Sequence, residues 1–217
     1  MGHLQTMKLL IASNNAHKQQ ELREIMAAVG APAELVAPRD LGIDIDPDES
    51  ADTYAGNALL KARAFAQAVR AERVQPARRV FTIADDSGLE VDALNGAPGI
   101  YSARYHKRAP NGDGCTALLA ELQGIPDDRR GARFQCAIVL IGPDGGEHTF
   151  YGTCEGWIGH GKRGQGGFGF DPVFMPADEV AATRSMAELS PPEKHRISHR
   201  GIAARKMLEV MASLGQA

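Results

Sequence analysis

Residues 80–94 read VFTIADDSGLEVDAL, and how they fold decides the architecture. Val80 to Ala84 is a short apolar strand that leads straight into Asp85, Asp86, Ser87 and Gly88. Leu89 to Leu94 reads as a second strand, and Asn95 to Gly99 (NGAPG) has turn chemistry. Adjacent carboxylates repel unless a cation or a proton relieves them, so Asp85 and Asp86 require a partner. Consecutive strand side chains point to opposite faces, which lets one aspartate face a cleft while the other braces a turn. An aspartate at a strand end is an ordinary Mg²⁺ ligand. A solvated Asp-Ser-Gly turn is the structural alternative.

Elements of both periods flank this centre. Lys8 to Ser13 predicts a buried strand with an Asn-Asn turn after it, and Ala33 to Ala37 a second one. Between them Leu22, Ile25, Met26 and Val29 recur with the period of an amphipathic helix ending at Gly30. An acidic loop, Asp44 to Asp52, precedes a long helix over Thr53 to Arg70 that carries Leu59, Leu60, Phe65 and Val69. Arg73 to Arg79 is a polar connection. Downstream come a helix over Gly114 to Gln123 and an antiparallel pair, Ala132 to Ile141 and Glu147 to Ile158, around Pro-Asp-Gly-Gly. A glycine-rich loop runs from Gly159 to Phe170. A last helix covers Ser198 to Leu214, with Ala203, Met207, Val210, Met211 and Leu214 as its stripe. The pattern is one α/β unit of two lobes. Residues 1–7 need not join the fold, with Met7 a candidate for its start.

Composition removes several classes of function. The 217 residues are 43% hydrophobic and 24% charged, enough to build a core without staples. A net charge of -3 and an aromatic content of 6% argue against a nucleic-acid grip or a base-stacking platform. No apolar run is long enough to span a bilayer, and the N-terminus lacks a signal-peptide profile, so a cytoplasmic protein with no membrane partner is expected. Cys115, Cys136 and Cys154 form no C-x-x-C pair and read as buried hydrophobes.

Two glycine motifs fail on context. Gly164, Gly166 and Gly169 satisfy G-x-G-x-x-G, but Asp171-Pro172 stands where the motif needs a helix. Gly156, Gly161 and Lys162 approach a phosphate loop, but Arg163 replaces the hydroxyl that binds Mg²⁺. The glycines then serve either a hairpin extension or close approach to a flat ligand. Charge is segregated: Asp44, Asp46, Asp48, Glu49 and Asp52 crowd one segment, and Lys194, Arg196, Arg200, Arg205 and Lys206 another. Carboxylates for a metal together with cations for phosphate suit a nucleoside triphosphate, although charge runs are also ordinary solvated faces, the reading kept for Arg205 and Lys206. At the N-terminus, Lys18 behind the Asn-Asn turn offers an anion pocket, or simply a capped helix with an exposed lysine.

Taken together, SNNAHKQQELREIM (13–26), NALLKA (57–62), IADDSGLEVDALNGAPGIYSARY (83–105), GGFGFDPVF (166–174) and MAELSPPEKHRISHRG (186–201) resemble the inosine triphosphate pyrophosphatase family. The resemblance runs almost end to end. It implies an elongated α/β protein with a two-lobed mixed β-sheet, flanking helices and a central cleft, usually a homodimer. It also implies Mg²⁺-dependent hydrolysis of dITP, ITP and XTP to the monophosphate and pyrophosphate, which clears deaminated purines from the nucleotide pool.

Carried over by position, the phosphate-binding turn falls on Ser13, Asn14, Asn15, Ala16, His17 and Lys18, and the catalytic aspartate on Asp86, with Ser87 beside the substrate. Asn57 and Lys61 occupy the helix positions near the phosphates. Phe168, Gly169, Phe170 and Asp171 correspond to the base-holding segment, in which Phe168 and Phe170 wall the purine. Lys194, His199 and Arg200 close over the nucleotide. Mg²⁺ falls to Asp86 and to Glu49, with Asp48 nearly equivalent. Phe170 stands where many relatives have tyrosine. A nucleotide sensor without turnover and a pyrophosphatase for modified pyrimidine triphosphates are the competing readings.

Overall fold

The computed structural model describes residues 7–31, 33–71, 80–108, 112–178, 181 and 183–214. The N-terminal residues 1–6 and the connection at Arg73 to Arg79 lie outside them. Met7 belongs to the fold after all, as the first residue of a strand paired with Ala33.

Among the described residues six strands form one mixed sheet: β1 (Met7–Ile11), β2 (Ala33–Val36), β3 (Val80–Val91), β4 (Gly131–Ile141), β5 (Glu147–Ile158) and β6 (Phe174–Pro176), in the order β2-β1-β3-β4-β5-β6. β1 runs parallel to both β2 and β3, whereas β5 and β6 are antiparallel. The helices are α1 (Ala16–Ala28), α2 (Tyr54–Ala71), α3 (Gly114–Glu121), α4 (Pro191–Ile197) and α5 (His199–Leu214).

The main correction concerns β3. The predicted two strands with Asp85-Asp86-Ser87-Gly88 between them are a single strand of 12 residues, and its first seven residues, Val80 to Asp86, are all buried. A solvated turn is therefore excluded. A central strand buried on both faces tolerates carboxylates only where cations meet them.

The chain divides into two compact units. The first comprises residues 1–86, 137–151 and 203–217, and the second residues 87–136 and 152–202. The first builds its core from Leu10, Val36, Ala58, Phe65, Val69, Val80 and Val139. Here α1 starts where Asn15 Oδ1 accepts from the His17 and Lys18 amides, and it ends before Gly30, whose φ of 64° suits the left-handed stop. Leu22, Ile25 and Met26 are buried as their period predicts, but Val29 at the cap is 48% exposed. In α2 the buried stripe is Asn57, Ala58, Lys61, Ala62, Phe65, Ala66 and Val69, so two polar residues share the inner face with the apolar ones.

The second unit packs Leu89, Val91, Leu118, Phe134, Phe170, Phe174 and Ile197. α4 is absent from the predicted elements, although its signal is legible. Ser190-Pro191-Pro192-Glu193 puts proline at the first helical position and an acceptor three residues after the cap. Glu193 Oε2 accepts from the Ser190 amide (2.9 Å) and hydroxyl (2.7 Å), and Arg184 Nη2 donates to its Oε1 at 2.9 Å. A bend at Ser198 separates α4 from α5, and Gly201 permits the tight junction: a Cβ there would lie 1.9 Å from the His195 carbonyl oxygen. Along α5, Ala203, Met207 and Met211 are buried as predicted; the Leu214 side chain lies outside the described residues.

The hydrogen bonds from Arg184 and Ser190 hold the Glu193 carboxyl down at about 2, from an ordinary 4.5. A depressed carboxyl stabilises the fold above its unfolded value and loses that contribution as pH falls towards its folded value. Glu193→Gln is therefore expected to be less stable than the parent at pH 7, with the gap closing between about pH 4.5 and about pH 2. Urea midpoints measured across that range check it; a gap independent of pH would contradict the cap.

Candidate functional site

Within the first unit, α1 and α2 each bring a lysine to the acidic pair on β3. Lys18 Nζ lies 3.2 Å from Asp85 Oδ2, and the Asp85 side chain is completely buried. Lys61 Nζ lies 3.3 Å from Asp86 Oδ1 and 3.1 Å from Glu49 Oε1, and it donates to the Asp85 carbonyl at 2.9 Å. Asn57 Nδ2 donates to Asp86 Oδ2 at 3.4 Å, and Asn57 Oδ1 accepts from the Ala51 amide at 3.0 Å. The required relief of carboxylate repulsion is thus two ammonium groups against three carboxylates.

Burial works against the charged form of Lys61, but the carboxylates of Asp86, Asp85 and Glu49 outweigh it and hold its pKa above the usual lysine value. Burial, with the Asp85 and Glu49 carboxylates, also pushes Asp86 up from the ordinary carboxylate range against the attraction of Lys61 and Lys18.

The N-terminal turn is more structural than its sequence suggests. Asn15 spends its side-chain oxygen on the helix cap, Ser13 Oγ accepts from the Asn15 amide at 3.2 Å, and Asn14 Nδ2 donates to the Ile45 carbonyl at 3.2 Å. Ala16 and His17 are exposed at the start of α1. Lys18 is not the exposed lysine of the bland alternative, since its side chain is only 14% accessible and is drawn to Asp85. Asp85, treated in sequence chiefly as a brace, is Lys18's anchor.

Asp86 closes the first unit in sequence and Ser87 opens the second, where Arg200 Nη2 donates to Ser87 Oγ at 2.9 Å. Asp171 Oδ2 accepts from the Phe168 amide at 2.8 Å and from Lys194 Nζ at 2.6 Å. Lys194 Nζ and the Arg200 guanidinium lie 5.1 Å and 5.7 Å from the centre of the Phe168 ring, within cation–π range. His199 stacks on Phe134 at 4.8 Å with the rings 12° apart. Phe134 was not legible as a neighbour of the site, because in sequence it is one more apolar residue of β4.

The two phenylalanines expected to wall a purine separate. Phe168 is half-buried beside the cations, but Phe170 is a core residue, edge-on to Tyr105 at 5.9 Å. Gly169, with φ 63°, turns the chain between them, and its carbonyl accepts from Cys115 Sγ at 3.2 Å. Phenylalanine in place of tyrosine at 170 thus removes a hydroxyl from a ring packed in the core.

Among the described residues, no group of three or more histidine, cysteine, aspartate or glutamate side chains is placed to hold a metal. Asp86 and Glu49 both converge on Lys61; Glu49 is exposed, as is its neighbour Asp48, so it is the ion pair with Lys61 that favours Glu49. One or two hard carboxylate oxygens with a net negative surplus fit Mg²⁺, which completes its shell with water and phosphate oxygens. The cysteines are buried, and burial pushes the thiols of Cys115 and Cys154 up to about 11 and about 12, so neither acts as a nucleophile. No helix among the described residues is long and apolar enough to cross a membrane.

A lysine-countered acid pair in one unit, and a cationic cluster around an aromatic ring in the other, define an α/β protein built to handle nucleotides. The model of the Ham1 family matches residues 9–210. A dITP/XTP pyrophosphatase of Streptomyces coelicolor is 45% identical, covering 95% of this chain and 98% of its own length. One of Anaeromyxobacter dehalogenans is 41% identical over 97% and 99%. The Staphylococcus aureus Ham1 protein superposes with a TM-score of 0.76 at 36% identity, covering 95% of this chain and 98% of that one. A Mycobacterium abscessus structure described as a nucleoside-triphosphatase and dITP/XTP pyrophosphatase gives 0.67 at 39%, over 93% and 99%. The chain belongs to the Ham1 family.

Proposed function

We propose that this chain is a Mg²⁺-dependent pyrophosphatase for deaminated purine nucleoside triphosphates, taking dITP, ITP and XTP to the monophosphate and pyrophosphate. The observation that carries the reading is the convergence of Lys18 and Lys61 on Asp85 and Asp86. Dedicated relatives named dITP/XTP pyrophosphatase, similar along nearly their whole lengths, support the choice of substrate. A homodimer in the cytoplasm, acting on free nucleotides and on neither nucleic acid nor membrane, completes the proposal.

In this mechanism Asp86 accepts a proton from the attacking water. The water oxygen bonds to the α-phosphorus, the bond from that phosphorus to the bridging oxygen breaks, and pyrophosphate leaves. Lys61 and Lys18 stabilise the negative charge that develops on the phosphoryl oxygens and the leaving group. Asp86 and Glu49 would hold Mg²⁺, which would supply neutralisation of phosphate charge and activation of water. Phe168 offers its ring to the purine, Asp171 fixes the Phe168 backbone and Lys194, and Arg200 is oriented by Ser87. A donor such as His199 or Arg200 facing the 6-oxo group pairs with hypoxanthine and xanthine but is left unpaired by adenine, a penalty of about 1–3 kcal/mol.

The test is release of pyrophosphate and orthophosphate from ITP, dITP, XTP, GTP, ATP and dUTP, with and without Mg²⁺. Pyrophosphate from the first three, far above the others and lost without metal, is expected. Orthophosphate instead would place the cut at a different anhydride. Binding of ITP with no release would establish a sensor, and preference for dUTP a pyrimidine enzyme.

A further inference from the structure

We propose that Asn57 is a positioning residue that aims the Asp86 carboxylate and ties the acidic loop to it; this rests on the assignment of Asp86 as base. Asn57 is 2% exposed on the inner face of α2. Its amide orientation is set by its two partners. The Ala51 main-chain N–H can only donate and an ionised carboxylate can only accept, so the oxygen faces the loop and the NH₂ faces Asp86. Lys61, four residues on along the same face, takes the other oxygen of Asp86. Each carboxylate oxygen is therefore met by one residue of α2, which fixes the rotation of the group.

The Asn57 amide is a neutral donor set beside the Lys61 cation on the same carboxylate. At its other end, Asn57 anchors Ala51, two residues from Glu49, whose Oε1 shares Lys61 Nζ. One side chain thereby sets where Asp86 and the loop that carries Glu49 stand relative to each other.

Two variants separate the parts of this role. Asn57→Asp keeps an acceptor for the Ala51 amide but turns an oxygen towards Asp86 Oδ2; Asn57→Ala removes both bonds. With dITP as probe, Asn57→Asp is expected to lower kcat by about 100-fold with KM changed less than about threefold. Asn57→Ala is expected to lower kcat by about 10-fold or more, again without a matching rise in KM. Added to Asp86→Asn, neither should lower activity further, because a positioning residue has nothing left to position. A purely structural role would lower the thermal midpoint and leave kcat per folded molecule intact, which would overturn the proposal. A rise in KM at constant kcat would overturn it in favour of direct contact with substrate. If Asp86→Asn itself retains activity, the assignment of the base fails instead. Should Asn57→Asp not fold, the Asn57→Ala kinetics decide alone.

Discussion

Asp86→Asn is expected to lower pyrophosphate release from dITP by at least about 10³-fold, which corresponds to about 4 kcal/mol of lost transition-state stabilisation. The substitution is close to isosteric, and the amide can still accept from Lys61 and sit beside Asn57. What disappears is the capacity to take a proton and to ligate a hard cation. Two functions are removed together, so the loss should lie above the lower end of the roughly 10²–10⁴-fold that general-base catalysis alone contributes. The fold should survive. Burial, together with the nearby Asp85 and Glu49 carboxylates, already opposes ionisation of Asp86 more than Lys61 and Lys18 favour it, so a neutral residue relieves that penalty. Lys61 keeps Glu49 at 3.1 Å and the Asp85 carbonyl at 2.9 Å, and is not left as an unpaired buried charge. A thermal midpoint equal to or above that of the parent is the expected companion result. Retention of more than about a tenth of the parent rate would remove Asp86 from the role of base and metal ligand.

The sequence was most legible where a local rule was sufficient. The end of α1 at Gly30, the burial of Phe65 and Val69 on α2 and the adjacency of β4 and β5 follow from caps, helical period and strand patterning, whereas Leu60, read with that stripe, is 38% exposed. β3 was misread because Asp-Asp-Ser-Gly carries turn propensity, and only partners distant in sequence, Lys18 and Lys61, make burial of two carboxylates tolerable. Tertiary contact overrode local preference there, and it did so at the site. Phe170 shows the opposite error. Two aromatic residues flanking one glycine look equivalent on the page, but the positive φ at Gly169 sends one to the cations and the other to the core. Most of the positions carried over from motifs lie in two clusters, with Ala16 and His17 exposed and Phe170 in the core, but what each side chain touches within its cluster was not readable. Asn15 caps, Asp171 holds Phe168 and Lys194, and Asp85 anchors Lys18, all of them roles defined by partners rather than by residue type.

Gly167→Ala is expected to cut kcat/KM for dITP by about 100-fold, mostly through KM, while Gly161→Ala in the same loop leaves it within about twofold. The contrast separates the alternatives left open for the glycine-rich stretch. At Gly161 an added Cβ meets nothing within 4 Å, as expected of a loop glycine with open space around it. At Gly167, with φ 68°, the same carbon would lie 2.0 Å from Asp171 Oδ2 and 2.8 Å from its Cγ. That oxygen is the one that accepts from both the Phe168 amide and Lys194 Nζ, so Asp171 cannot retreat without releasing both. The backbone resists as well, because left-handed geometry costs alanine about 1–2 kcal/mol. Either the loop or Asp171 must shift by something near an ångström, and the ring proposed to meet the base moves with it, together with the Lys194 ammonium beside it. Lys18, Lys61 and Asp86, proposed to meet the polyphosphate, stand on different elements, α1, α2 and β3, so kcat at saturating substrate should fall much less than kcat/KM. Equal effects at both glycines would mean that the loop is a generic extension. A fall in kcat with KM unchanged would mean that Asp171 serves the chemical step rather than recognition of the base.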